Sequence, residues 1–141
     1  MAVSDLEQSV FMQAPVAICV LEGPEHTFVF ANPAYRKLVG NRDVVGRRLL
    51  EALPDLTGQG FDELLDRVMR TGEPFHGHEV RVELSLQPDG VRFMNFVYGP
   101  KRDANGIIDG VLVSATDVTD QVRAQRELAD EREKLEAMFR A

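Results

Sequence analysis

Gly110-Val111-Leu112-Val113-Ser114-Ala115-Thr116-Asp117-Val118-Thr119-Asp120 decides how this chain is built. Residues 110–116 are small, β-branched or apolar and read as a buried strand. Asp117 and Thr119 then read as a helix start, because their side-chain oxygens can accept the unpartnered N–H groups of a first helical turn. From there to Ala141 there is no glycine, no proline and no stop signal. A helix over residues 118–141 would be about 36 Å long. A helix that runs on past its domain works as a connector, so the junction predicts a domain whose internal state is felt elsewhere.

Upstream of this junction the chain alternates. Within residues 75–86, Val80, Val82, Leu84 and Leu86 share one face and Glu79, Arg81 and Glu83 the other, the period-two pattern of a strand with one covered side. Pro88-Asp89-Gly90 supplies a turn, and residues 91–98 form a further strand closed by Gly99-Pro100. Asn105-Gly106 predicts a two-residue hairpin loop, since both residues tolerate positive φ.

Towards the N-terminus, Ser4-Asp5-Leu6-Glu7 is a capping box. It predicts a helix over residues 1–13 with Leu6 and Val10 on one face. Residues 15–22 read as a strand apolar on both faces, with Gly23-Pro24-Glu25 as a turn and 27–31 as its partner. Asn32-Pro33 opens a short helix, asparagine as N-cap and proline at the first helical position. A second helical segment is expected over 44–53, stopped by Pro54. Phe61, Leu64, Leu65, Val68 and Met69 fall at helical spacing before Thr71-Gly72. The order is helix, two strands, three short helices, three strands, long helix. It predicts an α+β domain, an antiparallel sheet with helices on one face, divided as 1–13, 14–117 and 118–141.

Composition narrows the function. A net charge of −7 argues against a nucleic-acid surface, which needs a basic face. The longest apolar run, residues 16–21, is far short of a membrane span, and residues 1–10 do not read as a secretory signal. One cysteine cannot form an internal disulfide, which fits a cytoplasmic location.

Four stretches resemble the PAS sensory domain: Phe11-Met12-Gln13-Ala14-Pro15-Val16-Ala17-Ile18, Phe30-Ala31-Asn32-Pro33-Ala34-Tyr35, Arg70-Thr71-Gly72-Glu73-Pro74, and Gly106 through Asp117-Val118-Thr119. Together they cover residues 10–120. The resemblance implies the PAS fold: a five-stranded antiparallel sheet with short helices on one face, an N-terminal cap helix, a C-terminal connector helix and a small pocket between sheet and helices. It also implies a homodimer through the terminal helices, and an output domain such as a histidine kinase, a cyclic-dinucleotide enzyme or a transcription regulator. None of those outputs is visible here.

Cofactor-binding subclasses of that family mark themselves by single residues. Residues 41–72 hold neither the histidine a haem type needs nor the cysteine a photoreactive flavin type needs, and the chain has no tryptophan. Haem and flavin are therefore not expected, which leaves a small organic ligand or none. The pocket is expected to be lined by Phe30, Tyr35, Leu38, Leu50, Leu53, Leu64, Leu65, Val68, Phe96 and Val113, with Asn95, Tyr98 and Ser114 as polar contacts. Cys19 reads as a small buried apolar residue. His76 and His78 are two apart on a strand, so they point the same way, in phase with Val80 and Val82. A zinc site needs three or four ligands, and no third is near in sequence, so no metal is expected.

In the terminal helix Val118, Gln125, Leu128, Arg132, Leu135 and Phe139 form a heptad-like stripe flanked by Val122. The expected dimer interface is Leu6, Val10, Val118, Val122, Leu128, Leu135 and Phe139, with Asp117 and Thr119 as the signal junction. The chain then reads as a sensory and dimerisation module of a two-component signalling protein, most simply a sensor histidine kinase, and not as an enzyme itself. A ligand-free interaction scaffold is the alternative. A stand-alone enzyme would need a base, an orienting partner and an electrophile stabiliser together, and no such set is present.

Overall fold

Period-two alternation and well-placed turn residues build five strands, and one of them links the two ends of the domain. The computed structural model describes residues 16–84 and 90–140. The elements are β1 (Ala17–Glu22), β2 (Thr27–Ala31), α1 (Pro33–Leu38), α2 (Leu49–Ala52), a 3-10 turn (Pro54–Leu56), α3 (Phe61–Thr71), β3 (Phe75–Glu83), β4 (Val91–Arg102), β5 (Ile108–Asp117) and α4 (Thr119–Arg140). The sheet order is β2-β1-β5-β4-β3, antiparallel throughout. The strand that precedes the connector therefore lies at the sheet's centre, paired with the first strand. The helix expected over 1–13, Leu86 and most of the turn at 88–90 lie outside the described residues.

Local chemistry sets the element ends. Asn32 caps α1: its Oδ1 accepts the Tyr35 N–H at 2.9 Å, and Pro33 follows in the first turn. The same oxygen accepts the Ile18 N–H at 2.9 Å and Nδ2 donates to the Val16 carbonyl at 2.9 Å, so this fully buried side chain also fixes the start of β1. Gly72, at φ +73°, closes α3 by donating to the Val68 carbonyl at 2.9 Å.

Three local expectations are corrected. Residues 44–48 are not helical; Gly46 sits at φ +87° and the segment bonds to the edge of β2, Gly46 N–H to Phe28 carbonyl at 2.7 Å and Phe28 N–H to Arg47 carbonyl at 2.9 Å. Those bonds satisfy edge groups of β2 that a helix would leave open. The Asn105-Gly106 loop holds three residues, closed by the Asp103 N–H donating to the Ile107 carbonyl at 2.8 Å. Only Gly106 has positive φ, as in a type I turn followed by a left-handed glycine. The third concerns strand phase. β2 and β3 each carry a register shift, between Val20 and Leu21 in the β1–β2 pair and between Gly77 and Val80 in the β3–β4 pair, and each turns side chains to the opposite face.

The main core fills the space between the sheet's inner face and α1–α3. Phe28, Leu21, Leu53 and Leu65 are its largest fully buried side chains. A second small cluster, Phe93 with Val118 and Val122, stands apart from it.

Candidate functional site

The inner face of β4 presents Met94, Phe96 and Tyr98, and that of β5 presents Val113 and Ala115, because alternate residues share a face. Between them and the helices lies a cavity of about 70 Å³. Tyr35 and Leu38 close it from α1, Leu53 and Leu56 from the segment around the 3-10 turn, and Phe61 from α3. That turn is held by Arg42, whose guanidinium grips Asp55 through two bonds of 2.8 and 2.9 Å. Phe61 meets the Phe96 ring edge-on at 6.0 Å between centroids, and Phe96 stacks obliquely with Tyr98 at 4.7 Å.

Among the described residues the cavity wall carries no charged side chain. Its polar end is made by Tyr35 and Tyr98, with Cys19 hydrogen-bonded to Tyr35. Burial pushes the Cys19 thiol far up, so it stays protonated and poorly nucleophilic. Burial likewise raises Tyr35 and Tyr98, with a further upward push from their neighbours in this trio, so both hydroxyls keep their protons at neutral pH.

Of the expected pocket residues, Tyr35, Leu38, Leu53, Phe96, Tyr98 and Val113 line this cavity. Leu64, Leu65 and Val68 pack in the core without lining it, and Leu50 lines a neighbouring cleft. Three residues stand on the opposite side of the sheet. Phe30 pairs with Val20 on the outer face, because the β2 bulge gives the core position to Phe28. Asn95 accepts the Glu79 N–H at 2.8 Å and so closes the β3 bulge. Ser114 pairs with Ile18 and Val97 on the outer face. Val39, Leu56, Phe61, Val82, Leu84, Met94 and Ala115 were not foreseen as lining; the period-two phase of Met94 with Phe96, and of Ala115 with Val113, was the signal available for two of them.

The histidines also move. The β3 bulge, with Glu79 at φ +51°, puts His76 and His78 out of phase with Val80 and Val82. Both face outward and are exposed. Among the described residues no group of three or more His, Cys, Asp or Glu is placed to hold a metal. His26, unremarked in the sequence, is buried and its Nε2 lies 2.7 Å from Asp66 Oδ1, stapling the β1–β2 turn to α3.

At the junction Asp117 Oδ1 accepts the Thr119 N–H at 2.9 Å and also a hydrogen bond from the Thr119 hydroxyl. The Thr119 Oγ1 in turn accepts the Phe93 N–H at 2.9 Å, and the Phe93 carbonyl accepts the Val118 N–H at 2.8 Å. Arg92 lies 3.9 Å from Asp117 Oδ2. Val118 and Val122, expected to face a second chain, are instead buried against Phe93 of their own domain, where Arg126 stacks over the Phe93 ring at 4.6 Å. Burying each such valine is worth about 1.5–3 kcal/mol, which anchors the first turns of α4. Beyond them Leu128, Leu135, Met138 and Phe139 are exposed, Phe139 at 88 %. Leu6 and Val10 lie outside the described residues.

A family model described as the PAS fold matches residues 11–123. Solved structures share the architecture. An RNA-binding Light-Oxygen-Voltage receptor is 22 % identical at TM-score 0.68, over 96 % of this chain and 38 % of that one. VqmA bound to DPO is 28 % identical at TM-score 0.64, over 79 % of this chain and 57 % of that one. The PAS domain of the histidine kinase ThkA is 25 % identical at TM-score 0.59, over 72 % of this chain and 98 % of that domain. The chain thus spans 38 % of the receptor's length and 57 % of VqmA's. No described helix is long and apolar enough to cross a membrane. With the matched region running from before β1 into the first turns of α4, the chain belongs to the PAS family.

Proposed function

We propose that this chain is the sensory and dimerisation module of a larger cytoplasmic signalling protein, that it is not itself an enzyme, and that it passes the state of its cavity or of a bound partner to an output domain through α4. One observation carries the reading. β5 contributes Val113 and Ala115 to the cavity wall and ends, two residues later, in the Asp117 carboxylate that caps α4. A change in the cavity therefore reaches the connector through one strand. The exposed apolar residues of α4, Leu128, Leu135, Met138 and Phe139, support a parallel homodimer, since helices in proteins gain most of their stability by packing an apolar face against a partner. The likeness to the PAS domain of ThkA favours a histidine kinase as output; the higher identity to VqmA supports a transcription regulator as the second candidate. A filled-core scaffold that relays a neighbour's signal is the second reading, and the small cavity favours it.

The test is sedimentation of the chain beside its Leu128→Lys, Leu135→Lys double variant. The wild type is expected to be dimeric at high micromolar concentration and the variant monomeric with an unchanged circular dichroism spectrum of the core. A monomeric wild type would remove the dimerisation half of the proposal.

A further inference from the structure

We infer that the cavity takes an uncharged molecule no larger than a single ring, carrying one group that hydrogen-bonds to the tyrosine hydroxyls. This deepens the sensory reading and rests on it. Among the described residues the wall offers no cation or anion, so a charged ligand would lose its hydration without gaining a partner there. The polar residues of the lining are Tyr35, itself bonded to Cys19, and Tyr98, and burial keeps both hydroxyls protonated. Those groups donate or accept a single proton each, which selects a hydroxyl, carbonyl or ring nitrogen. Every other described residue facing the space is apolar or aromatic, including Phe61, Phe96 and Met94.

Size sets the other limit. The void of about 70 Å³ is about half the roughly 150 Å³ that accommodates benzene in an engineered protein cavity. As it stands it holds a short alcohol or ketone. Met94, unbranched and flexible, is the wall residue best able to give way for one ring.

The probes are phenol, benzene and benzoate, titrated against the full chain and followed by methyl resonances of Met94, Val113 and Ala115 and by melting temperature. Phenol is expected to bind about fivefold tighter than benzene, the contribution of one hydrogen bond, and benzoate to leave the resonances unmoved. In Tyr98→Phe phenol should fall to the affinity of benzene while benzene is unaffected. If that variant is unfolded, the wild-type comparison of phenol with benzoate decides alone. Benzoate binding as tightly as phenol would overturn the assigned class, and so would the failure of both phenol and benzene to move any cavity resonance. Neither failure touches a module that senses a protein partner. Conversely, phenol binding without any change at the Phe93 or Thr119 amides would refute transmission through the junction and leave the ligand class standing.

Discussion

The junction makes its sharpest prediction at Thr119, which is 1 % exposed. Thr119→Val preserves shape and removes only the hydroxyl. Two hydrogen bonds go with it, the one accepted from the Phe93 N–H and the one donated to Asp117. The Phe93 amide is buried and has no alternative acceptor supplied by an isosteric methyl. A net hydrogen bond is worth about 1 kcal/mol, one to a charged group about 1.5–3, and a buried unsatisfied donor costs about 1–3. Overlap between these terms leaves an expected destabilisation of about 2–3 kcal/mol. For a domain of this size that corresponds to a fall in Tm of roughly 6–15 °C. The Phe93 amide should lose hydrogen-exchange protection by about thirtyfold or more. Thr119→Ser keeps the hydroxyl and should stay within about 1 kcal/mol of wild type. If the valine variant retains wild-type protection at Phe93 and melts with the serine variant, the hydroxyl does not hold strand and helix together and the coupling argument fails.

Two glycines separate backbone from side-chain tolerance. A Cβ on Gly110 would lie 2.2 Å from the Leu21 carbonyl oxygen, a backbone atom of the paired strand, so Gly110→Ala should part β1 from β5 and abolish cooperative melting. A Cβ on Gly77 would lie 2.5 Å from the Phe96 ring, which can swing into the cavity, so Gly77→Ala should cost only about 1–3 kcal/mol and reduce phenol uptake; equal melting temperatures for the two variants would contradict this. Lys101 bridges Glu22 at 2.8 Å and Asp109 at 2.9 Å, tying the ends of β1, β4 and β5. Burial lowers its pKa, but the two carboxylates outweigh that and hold it above the usual 10.5. A folded-state value above the unfolded one means the contribution is complete below about pH 10 and is lost as pH rises through the folded value. The Tm difference between wild type and Lys101→Met should therefore be present at about pH 8 and shrink as pH rises past 10.5 through the folded value, and a difference that grows with pH would show the sign to be wrong.

Much of this architecture was legible because its causes are local. The junction at Asp117 and Thr119 was readable from side chains able to bond backbone donors within two residues. The α1 start was readable from Asn32-Pro33, and α3 from its 3.6-residue spacing and terminal glycine. What escaped depends on partners remote in sequence. Alternation assigned one face to His76, His78 and Val80, yet the extra residue in β3 reverses the phase, and Glu79 at positive φ gives no warning of the kind a glycine would. The same mechanism exchanged Phe30 for Phe28. Asn95 and Ser114 were named for their polarity, and their positions follow from the phase of β4 and β5, which put Phe96 and Val113 inside and them outside. Val118 and Val122 fit a heptad stripe equally well whether their partner is a second helix or Phe93; only the tertiary placement of Phe93 decides.

The magnitudes bear on how such a module could switch. A ligand biases two conformations only by its difference in affinity between them. A molecule small enough for this cavity has few non-hydrogen atoms, and the best small ligands gain at most about 1.5 kcal/mol from each. Only part of that gain can differ between states, so the available bias is a few kcal/mol. The Thr119 linkage is worth about 2–3 kcal/mol by the same reasoning that predicts the valine variant. The two quantities are comparable, so occupancy of the cavity could open or close the junction without unfolding the sheet. A far stronger junction would be deaf to so small a ligand, and a far weaker one would leave α4 frayed in every state. On this argument the Thr119→Val variant should not merely lose stability: its output in the parent protein should become independent of ligand, while Thr119→Ser should still respond.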